Sequence, residues 1–346
     1  MRTQRGSLEH GAHIIVGTPG RVKAFLEEKL LDLSHVNSLV LDEADRMLDM
    51  GFMDDVQSIL GKTPKNRQTL LFSATFPESI LDLSRHIQKD PLNVDVTTHE
   101  SAPDIAQEFL AVEADAKLSL LPRILDRHSD DSCIIFCNMK STCTEVSEHL
   151  NKLGFHTLDI HGDLEQKERT ETLILFGNGS CRILVATDLA ARGLDIKALP
   201  LVVNYDFPNT PEIYRHRIGR TGRAGESGRA ITLITEENRQ ALGDLEAYLG
   251  HSVSTDDAAI PTSDNPRRHP EMVTLVIEGG KKQKLRPGDI LGALTKDVGL
   301  SGDSIGKIDI LERVTYVAVK HSEEDTALQG LRNGGIKGKS FRVWVV

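Results

Sequence analysis

Three carboxylates stand together in Asp42-Glu43-Ala44-Asp45, directly after the apolar run Ser38 to Leu41. An Asp that closes an apolar strand can hold Mg2+ on a nucleotide, and a neighbouring Glu is placed to orient an attacking water. The same residues also suit an acidic helix start, because Asp and Glu are favoured in a first turn. Thr18-Pro19-Gly20-Arg21 reads as an N-cap, a proline at the first helical position and an opening helix, whose free N–H groups and Arg21 suit a phosphate. Ser73-Ala74-Thr75 sets two hydroxyls after another apolar run. Further on, His161-Gly162-Asp163 is followed by Gln166 and Arg169, and Thr187-Asp188 precedes Ala191-Arg192-Gly193-Leu194-Asp195. His216-Arg217-Ile218-Gly219-Arg220-Thr221-Gly222-Arg223 then punctuates three arginines with glycines. Such a cluster fits charge neutralisation of a transferring phosphoryl group, or else a solvated basic face.

Short apolar runs alternating with helical patterns must position these residues. His13 to Val16, Val36 to Leu41 and Thr69 to Phe72 read as strands, with helices over 20–28 and 53–60 between them. The pattern restarts with strands at Cys133 to Cys137, Thr157 to Ile160, Arg182 to Ala186 and Leu201 to Tyr205, and helices over 142–153 and 166–176. Both stretches predict α/β units on parallel sheets, whose strand ends form the ligand edge. A third stretch predicts β-α-β-β-α-β: Val273 to Glu278, a helix over 287–296, Ile305 to Ile310, Thr315 to Val319, a helix over 323–331 and Phe341 to Val346. That order is the ferredoxin-like arrangement of RNA-recognition domains. The expected division is therefore 1–96, a linker at 97–104, 105–251, a proline-containing linker at 252–270, and 271–346.

At 346 residues the chain is long enough for two or three domains of about 150 residues each. Its net charge of -10 argues against nucleic acid as partner, but the distribution does not: residues 272–346 carry twelve Lys/Arg against nine Asp/Glu. Cys133, Cys137, Cys143 and Cys181 lack metal-site spacing and read as buried thiols. Met1 to His10 has no apolar h-region, and no stretch approaches the roughly 18 apolar residues of a membrane span. A cytoplasmic protein with no membrane partner is expected.

In this order the motifs resemble the DEAD-box family of superfamily II RNA helicases, over roughly residues 1–250. The resemblance implies an ATP-dependent RNA helicase, with ATP and Mg2+ as cofactors. Two RecA-like domains would clamp ATP between them and bend one RNA strand across their top. It implies Asp42 as the Mg2+ ligand and Glu43 as the residue that activates water, with Arg220 and Arg223 as arginine fingers. Gly193 and Asp195 would join the nucleotide site, Asp195 at the sugar. Asp45, Ser73, Thr75 and His216 would couple the two domains, and Thr18, Arg21, Gln166, Arg169 and Thr187 would hold RNA phosphates. Phosphate contacts carry no direct sequence information.

The family pattern also requires a P-loop, a glutamine-containing adenine motif and a Pro-Thr-Arg-Glu motif before Thr18, and the seventeen residues there contain none of them. Two near misses to G-x-x-x-x-G-K-[ST] occur elsewhere. Gly61-Lys62-Thr63 has Val56 where the first glycine belongs, and Gly338-Lys339-Ser340 has Asn333. The first RecA-like domain is thus expected to be truncated, and the isolated chain to bind ATP weakly and hydrolyse it negligibly. The alternative function is a non-catalytic remnant that binds ribosomal RNA without a motor.

Leu285-Arg286-Pro287-Gly288-Asp289-Ile290-Leu291-Gly292-Ala293-Leu294 and Gly335-Ile336-Lys337-Gly338-Lys339 resemble the RNA-binding domain of DbpA-type helicases. This implies a hairpin of large-subunit ribosomal RNA near the peptidyl-transferase centre as ligand, and a pre-ribosomal particle as partner. The residues themselves point to loops rather than to base stacking on the sheet. The first strand has no aromatic and the third only Tyr316, while Lys281, Lys282, Lys284 and Arg286 crowd one loop, with Lys337, Lys339 and Arg342 in or near another.

Overall fold

The computed structural model describes residues 2–73, 75–95, 104–128, 132–191, 199–222, 227–257, 260 and 269–346. The chain divides into two compact units, Met1–His99 and Glu100–Val346.

The first unit contains α1 (Arg2–Glu9), α2 (Pro19–Glu27), β1 (Ser38–Leu41), α3 (Ala44–Asp49), α4 (Met53–Leu60), β2 (Gln68–Leu71) and α5 (Glu78–Ile87). β1 and β2 pair in parallel, Ser38 opposite Gln68 and Leu41 opposite Leu71. A small core of Leu41, Val56 and Leu83 binds β1, α4 and α5 together. The strand expected at His13 to Val16 is instead irregular backbone. A strand needs a neighbour for its N–H and C=O groups, and no pairing reaches this segment among the described residues. Ile14 and Val16 are accordingly exposed.

In the second unit come β3 (Ile105–Ala111), α6 (Lys117–Arg127), β4 (Cys133–Cys137), α7 (Lys140–Lys152), β5 (Thr157–Ile160), α8 (Gln166–Gly177), β6 (Ile183–Thr187), α9 (Asp188–Ala191), β7 (Leu201–Asn204), α10 (Pro211–Ile218), β8 (Gly228–Ile234), α11 (Arg239–Leu249) and β9 (Thr255–Asp257). Their strands form one sheet in the order β5-β6-β4-β7-β8-β3-β9, with every described pairing parallel. Helices cover both faces of a parallel sheet, so its central strands are apolar along their whole length. CIIFC in β4 and LVVN in β7 are buried at every position, and each buried Ile or Leu contributes about 1.5–3 kcal/mol. Cys133, Cys137, Cys143 and Cys181 are buried free thiols, as expected. β8 begins at a glycine of necessity, since a Cβ on Gly228 would collide with the Thr221 side chain and the Gly222 nitrogen.

The expected linker 252–270 requires correction. Thr255–Asp257 pairs in parallel with β3, and Ile260 joins the core beneath α6. Its consecutive polar side chains, Thr255, Asp256 and Asp257, hide an edge strand whose contribution is backbone hydrogen bonding, and composition does not reveal that. The expected linker 97–104 lies outside the described residues except for Asp104.

The unit ends in β10 (Met272–Ile277), α12 (Pro287–Gly292, continuing as a π-helical turn over Ala293–Asp297), β11 (Ile305–Ile310), β12 (Thr315–Lys320), α13 (Glu324–Gly334) and β13 (Val343–Val345). These give the expected β-α-β-β-α-β order. The sheet runs β11-β12-β10-β13 with antiparallel pairings. α12 and α13 cover one face, over a core including Leu275, Ile277, Ile290, Leu294, Val317, Val319, Ala327 and Leu331.

Candidate nucleotide and RNA sites

In the first unit, the chain leaves β1 at Asp42 and turns through Glu43, whose φ of 51° is left-handed. That conformation is uncommon for a residue with a side chain, and it starts α3 immediately beyond the strand. Asp42 and Glu43 are exposed, and the Asp42 carboxylate accepts the Glu43 N–H at 3.0 Å. Neither carboxylate is ion-paired to a described Lys or Arg.

Asp45, by contrast, is buried. Its Oδ2 accepts both the N–H and the hydroxyl of Thr75 at 2.9 Å, its Oδ1 accepts the Arg46 N–H at 3.0 Å, and its own N–H donates to Ser73 Oγ at 3.2 Å. The structure thus brings together Asp45, Ser73 and Thr75, which the sequence offered as separate strings. Burial pushes the Asp45 carboxyl up, but the hydrogen bonds from Thr75, Arg46 and Ser73 outweigh it and hold the carboxyl below its ordinary value. Thr18 occupies the N-cap position of α2 with Pro19 following; its hydroxyl makes no cap hydrogen bond, and its carbonyl accepts from Arg21 and Val22. Arg21 lies over the Phe25 ring, 5.7 Å from its centroid.

In the second unit, the carboxyl ends of β4, β6 and β7 meet at Arg217, one of the three arginines that the sequence offers together for phosphoryl charge. Arg217 of α10 is 1% exposed. Its Nε and Nη2 donate to the two Asp188 oxygens at 2.7 Å, Nη1 donates to the Asp206 carbonyl at 2.7 Å, and Nη2 also donates to Asn138 Oδ1 at 2.7 Å. The guanidinium lies over Phe136 at 5.2 Å. A planar fork of five donors suits such a convergence, and lysine could not replace it. Composition showed an arginine-rich string but could not tell which arginine turns inward.

The same helix carries His216, half-buried, and leads to Arg220, whose N–H donates to the Arg217 carbonyl and whose carbonyl accepts from Leu199. Thr187 closes β6, half-buried. Gln166 and Arg169 lie in the first turn of α8, behind a capping box of Glu165 and Glu168. Gly193, Asp195 and Arg223 lie outside the described residues.

On the C-terminal domain, Lys281, Lys282, Lys284 and Arg286 are all exposed, along a short 3-10 turn that ends with Lys284 left-handed at φ 60°. Leu285 is buried between them and pins this loop. Lys337, left-handed at φ 56°, and Lys339 are exposed on the second loop. Asp289 joins the two loops: it accepts from Lys337 Nζ at 2.8 Å and from the Arg286 N–H at 2.8 Å. The Lys337 hydrogen bond is foremost in holding the Asp289 carboxyl below its ordinary value. The sequence carried a signal for it, an acidic residue three after the N-cap position and two after a first-turn proline. Arg342 lies over the Trp344 ring at 5.7 Å.

Residues 1–83 match the DEAD/DEAH box helicase family and 116–225 the helicase conserved C-terminal domain. Residues 274–345 match the DbpA RNA binding domain. The chain is 48% identical over 344 residues to ATP-dependent RNA helicase DbpA of Escherichia coli, covering 98% of this chain and 74% of that one. It is 37% identical over 364 residues to the protein of the same name from Bacillus subtilis, covering 98% and 76%. Among solved structures, S. cerevisiae Dbp5 bound to RNA and ADP BeF3 superposes with a TM-score of 0.65 at 33% identity, over 72% of this chain and 66% of that one. The chain belongs to the DbpA-type DEAD-box ATP-dependent RNA helicases, a family of RNA-stimulated ATPases.

Two outcomes test this geometry. Asp45→Asn should lower stability by about 2 kcal/mol near neutral pH, the scale of hydrogen bonds to a charged acceptor. A depressed folded value means that the Asp45 contribution is complete above the unfolded carboxyl value of about 3.9 and is lost as pH falls below it, through the lower folded value. The difference between variant and parent in urea titrations should therefore shrink over that range; a constant difference would contradict the assignment. Arg217→Met should cost about 3–5 kcal/mol, because it strips three strand ends of their shared donor and leaves the Asp188 carboxylate unpaired. The cost is read as a shift in denaturant midpoint, and a near-neutral result would remove Arg217 from its organising role.

Proposed function

We propose that the function of this chain is ATP- and Mg2+-dependent helicase remodelling of large-subunit ribosomal RNA on a pre-ribosomal particle in the cytoplasm. The observation that carries the ribosomal substrate is the C-terminal domain: a DbpA-type fold with two exposed basic loops tied together by Asp289. Fixed, clustered cations on loops suit the phosphates of a structured hairpin.

The nucleotide roles rest on donor chemistry. Asp42 offers a hard, exposed carboxylate at a strand end, a donor of the kind Mg2+ takes. Bound there, Mg2+ would neutralise phosphate charge; Glu43 then orients water, while Arg220, with Arg223, balances charge on the transferring group. Gly193 and Asp195 complete the nucleotide contacts. Asp45, Ser73, Thr75 and His216 relay nucleotide state between domains. Thr18, Arg21, Gln166, Arg169 and Thr187 hold RNA phosphates, and Lys281, Lys282, Lys284, Arg286, Lys337 and Lys339 hold the hairpin.

The first experiment measures ATP turnover of the purified chain with and without a large-subunit ribosomal RNA hairpin. RNA-stimulated turnover that Glu43→Gln abolishes supports a complete catalytic role for this chain. Hairpin binding without turnover supports a non-catalytic RNA-binding role, and absence of any preference for the ribosomal hairpin over an unrelated one overturns the substrate. In the same titrations, Lys281→Ala with Lys282→Ala should lower the slope of log affinity against log salt by about 0.7–0.9 for each phosphate contact removed. An unchanged slope would take this loop off the RNA.

A further inference from the structure

We propose that Trp344 and Arg342, on and beside the edge strand β13, form a stacking subsite for an unpaired nucleobase of the RNA that the basic loops hold. The inference rests on the RNA-binding reading above and adds to it a contact that distinguishes single-stranded from paired RNA.

Side chains alternate across a strand, so residues two apart share a face. Val343 joins the core under α12 and α13, and Val345 packs against it. Trp344 is thereby turned to the opposite face, next to Val276 of β10. On that face Val276 is 2% exposed, clustered with Ile174 of α8, whereas Trp344 at the edge is 36% exposed. Aromatic rings dominate interface energetics because of the area they bury, so an open indole is an unused contact surface. Arg342, two residues earlier and also exposed, sets its guanidinium 5.7 Å from the indole centroid. That lies within cation–π range. The pair makes a flat, cationic surface, and bases stack on tryptophan rings and guanidinium planes alike.

The platform is joined to the basic loop by its backbone. The Glu278 N–H donates to the Arg342 carbonyl at 2.9 Å, three residues before Lys281. Phe341 lies against the same loop: a Cβ on Gly279 would come 2.5 Å from the Phe341 ring and 3.0 Å from Leu285. Lys281, Lys282, Lys284 and Arg286 therefore leave from the end of β13 at which Arg342 stands. The strand under the indole is held on both sides, since Arg332 Nε donates to the Val343 carbonyl at 2.8 Å and the Val346 N–H to the Thr274 carbonyl at 3.1 Å. A surface fixed before binding loses less entropy when it is occupied.

Cations for phosphates beside a ring for a base are the combination by which proteins hold single-stranded nucleic acid. The neighbouring cations thus favour RNA over an apolar protein segment as the occupant of the indole. Bases inside a duplex have both faces stacked on their neighbours, so the base that reaches Trp344 is an unpaired one. Stacking of this kind accepts any base, and it holds a single-stranded flank close to the hairpin at a raised effective concentration.

The test uses the full chain and its indole emission, which reports this site alone because Trp344 is the only tryptophan. The probes are the large-subunit ribosomal RNA hairpin with a single-stranded flank, oligoadenylate, and the same oligoadenylate paired to oligouridylate. The flanked hairpin and free oligoadenylate should quench the emission, and the paired form much less. By anisotropy of labelled RNA, Trp344→Ala should weaken oligoadenylate binding roughly 5–150-fold, the range for one stacked base, and Trp344→Phe should keep part of the affinity. Lys281→Ala with Lys282→Ala should weaken binding but leave the quenching at saturation intact. No quenching by either single-stranded probe, or unchanged affinity in Trp344→Ala, overturns the subsite and leaves the indole to a protein partner. Equal quenching by paired and unpaired oligoadenylate also overturns it. If the flanked hairpin binds no better than an unrelated one, the ribosomal reading fails, while quenching by oligoadenylate still decides the subsite.

Discussion

A guanidinium cannot shed its charge inside a protein, so a buried one must find an acceptor for its N–H groups. Arg217 meets that demand with Asp188, Asn138 and the carbonyl of Asp206, residues that follow β6, β4 and β7. Three loops at the ligand edge of the sheet are therefore held by one side chain. α10 is anchored by the same hydrogen bonds, and the chain leaving it is fixed by the hydrogen bond from Leu199 to the Arg220 carbonyl and by the close approach of Thr221 to Gly228. The pose of the arginine-bearing segment follows from a charge that has nowhere else to go.

The first unit uses the same device with the opposite sign. Asp45 is a buried carboxylate whose hydrogen bonds come from a loop thirty positions away, and it fastens the Ser73 to Thr75 turn to the start of α3. Asp42 and Glu43, just before it, stay exposed. Neighbouring carboxylates thus differ by environment: the buried one is fixed in a hydrogen-bond network, and the exposed ones face solvent.

The C-terminal domain is organised by alternation. A small antiparallel sheet commonly leaves one face wet, but here Thr274, Val276 and Tyr316 are buried against Ile174, Asn178 and Ser180. The exposed lysines lie on loops, and loops need bracing if their cations are to present a fixed pattern. The left-handed turns at Lys284 and Lys337, the buried Leu285 and the Asp289 bridge supply it.

The elements that announce themselves in the sequence are those whose burial is complete or strictly periodic. β4 and α4 lie where the apolar pattern puts them, because a fully buried strand or an amphipathic helix writes its environment into residue type. The Asp-Glu-Ala-Asp turn and the β-α-β-β-α-β order were legible for the same reason: local spacing determines them. β9 was not legible, since an edge strand satisfies its backbone with few apolar side chains, nor was β3 beside it, whose apolar run is broken by Gln107 and Glu108; the segment at His13 to Val16 misled because an apolar run becomes a strand only beside a partner. Which arginine of α10 turns inward, that Asp45 joins Ser73 and Thr75, and that Tyr316 meets Glu171 rather than solvent were decided by tertiary structure alone. Each depends on which distant groups arrive within hydrogen-bonding distance, and residue type does not encode that.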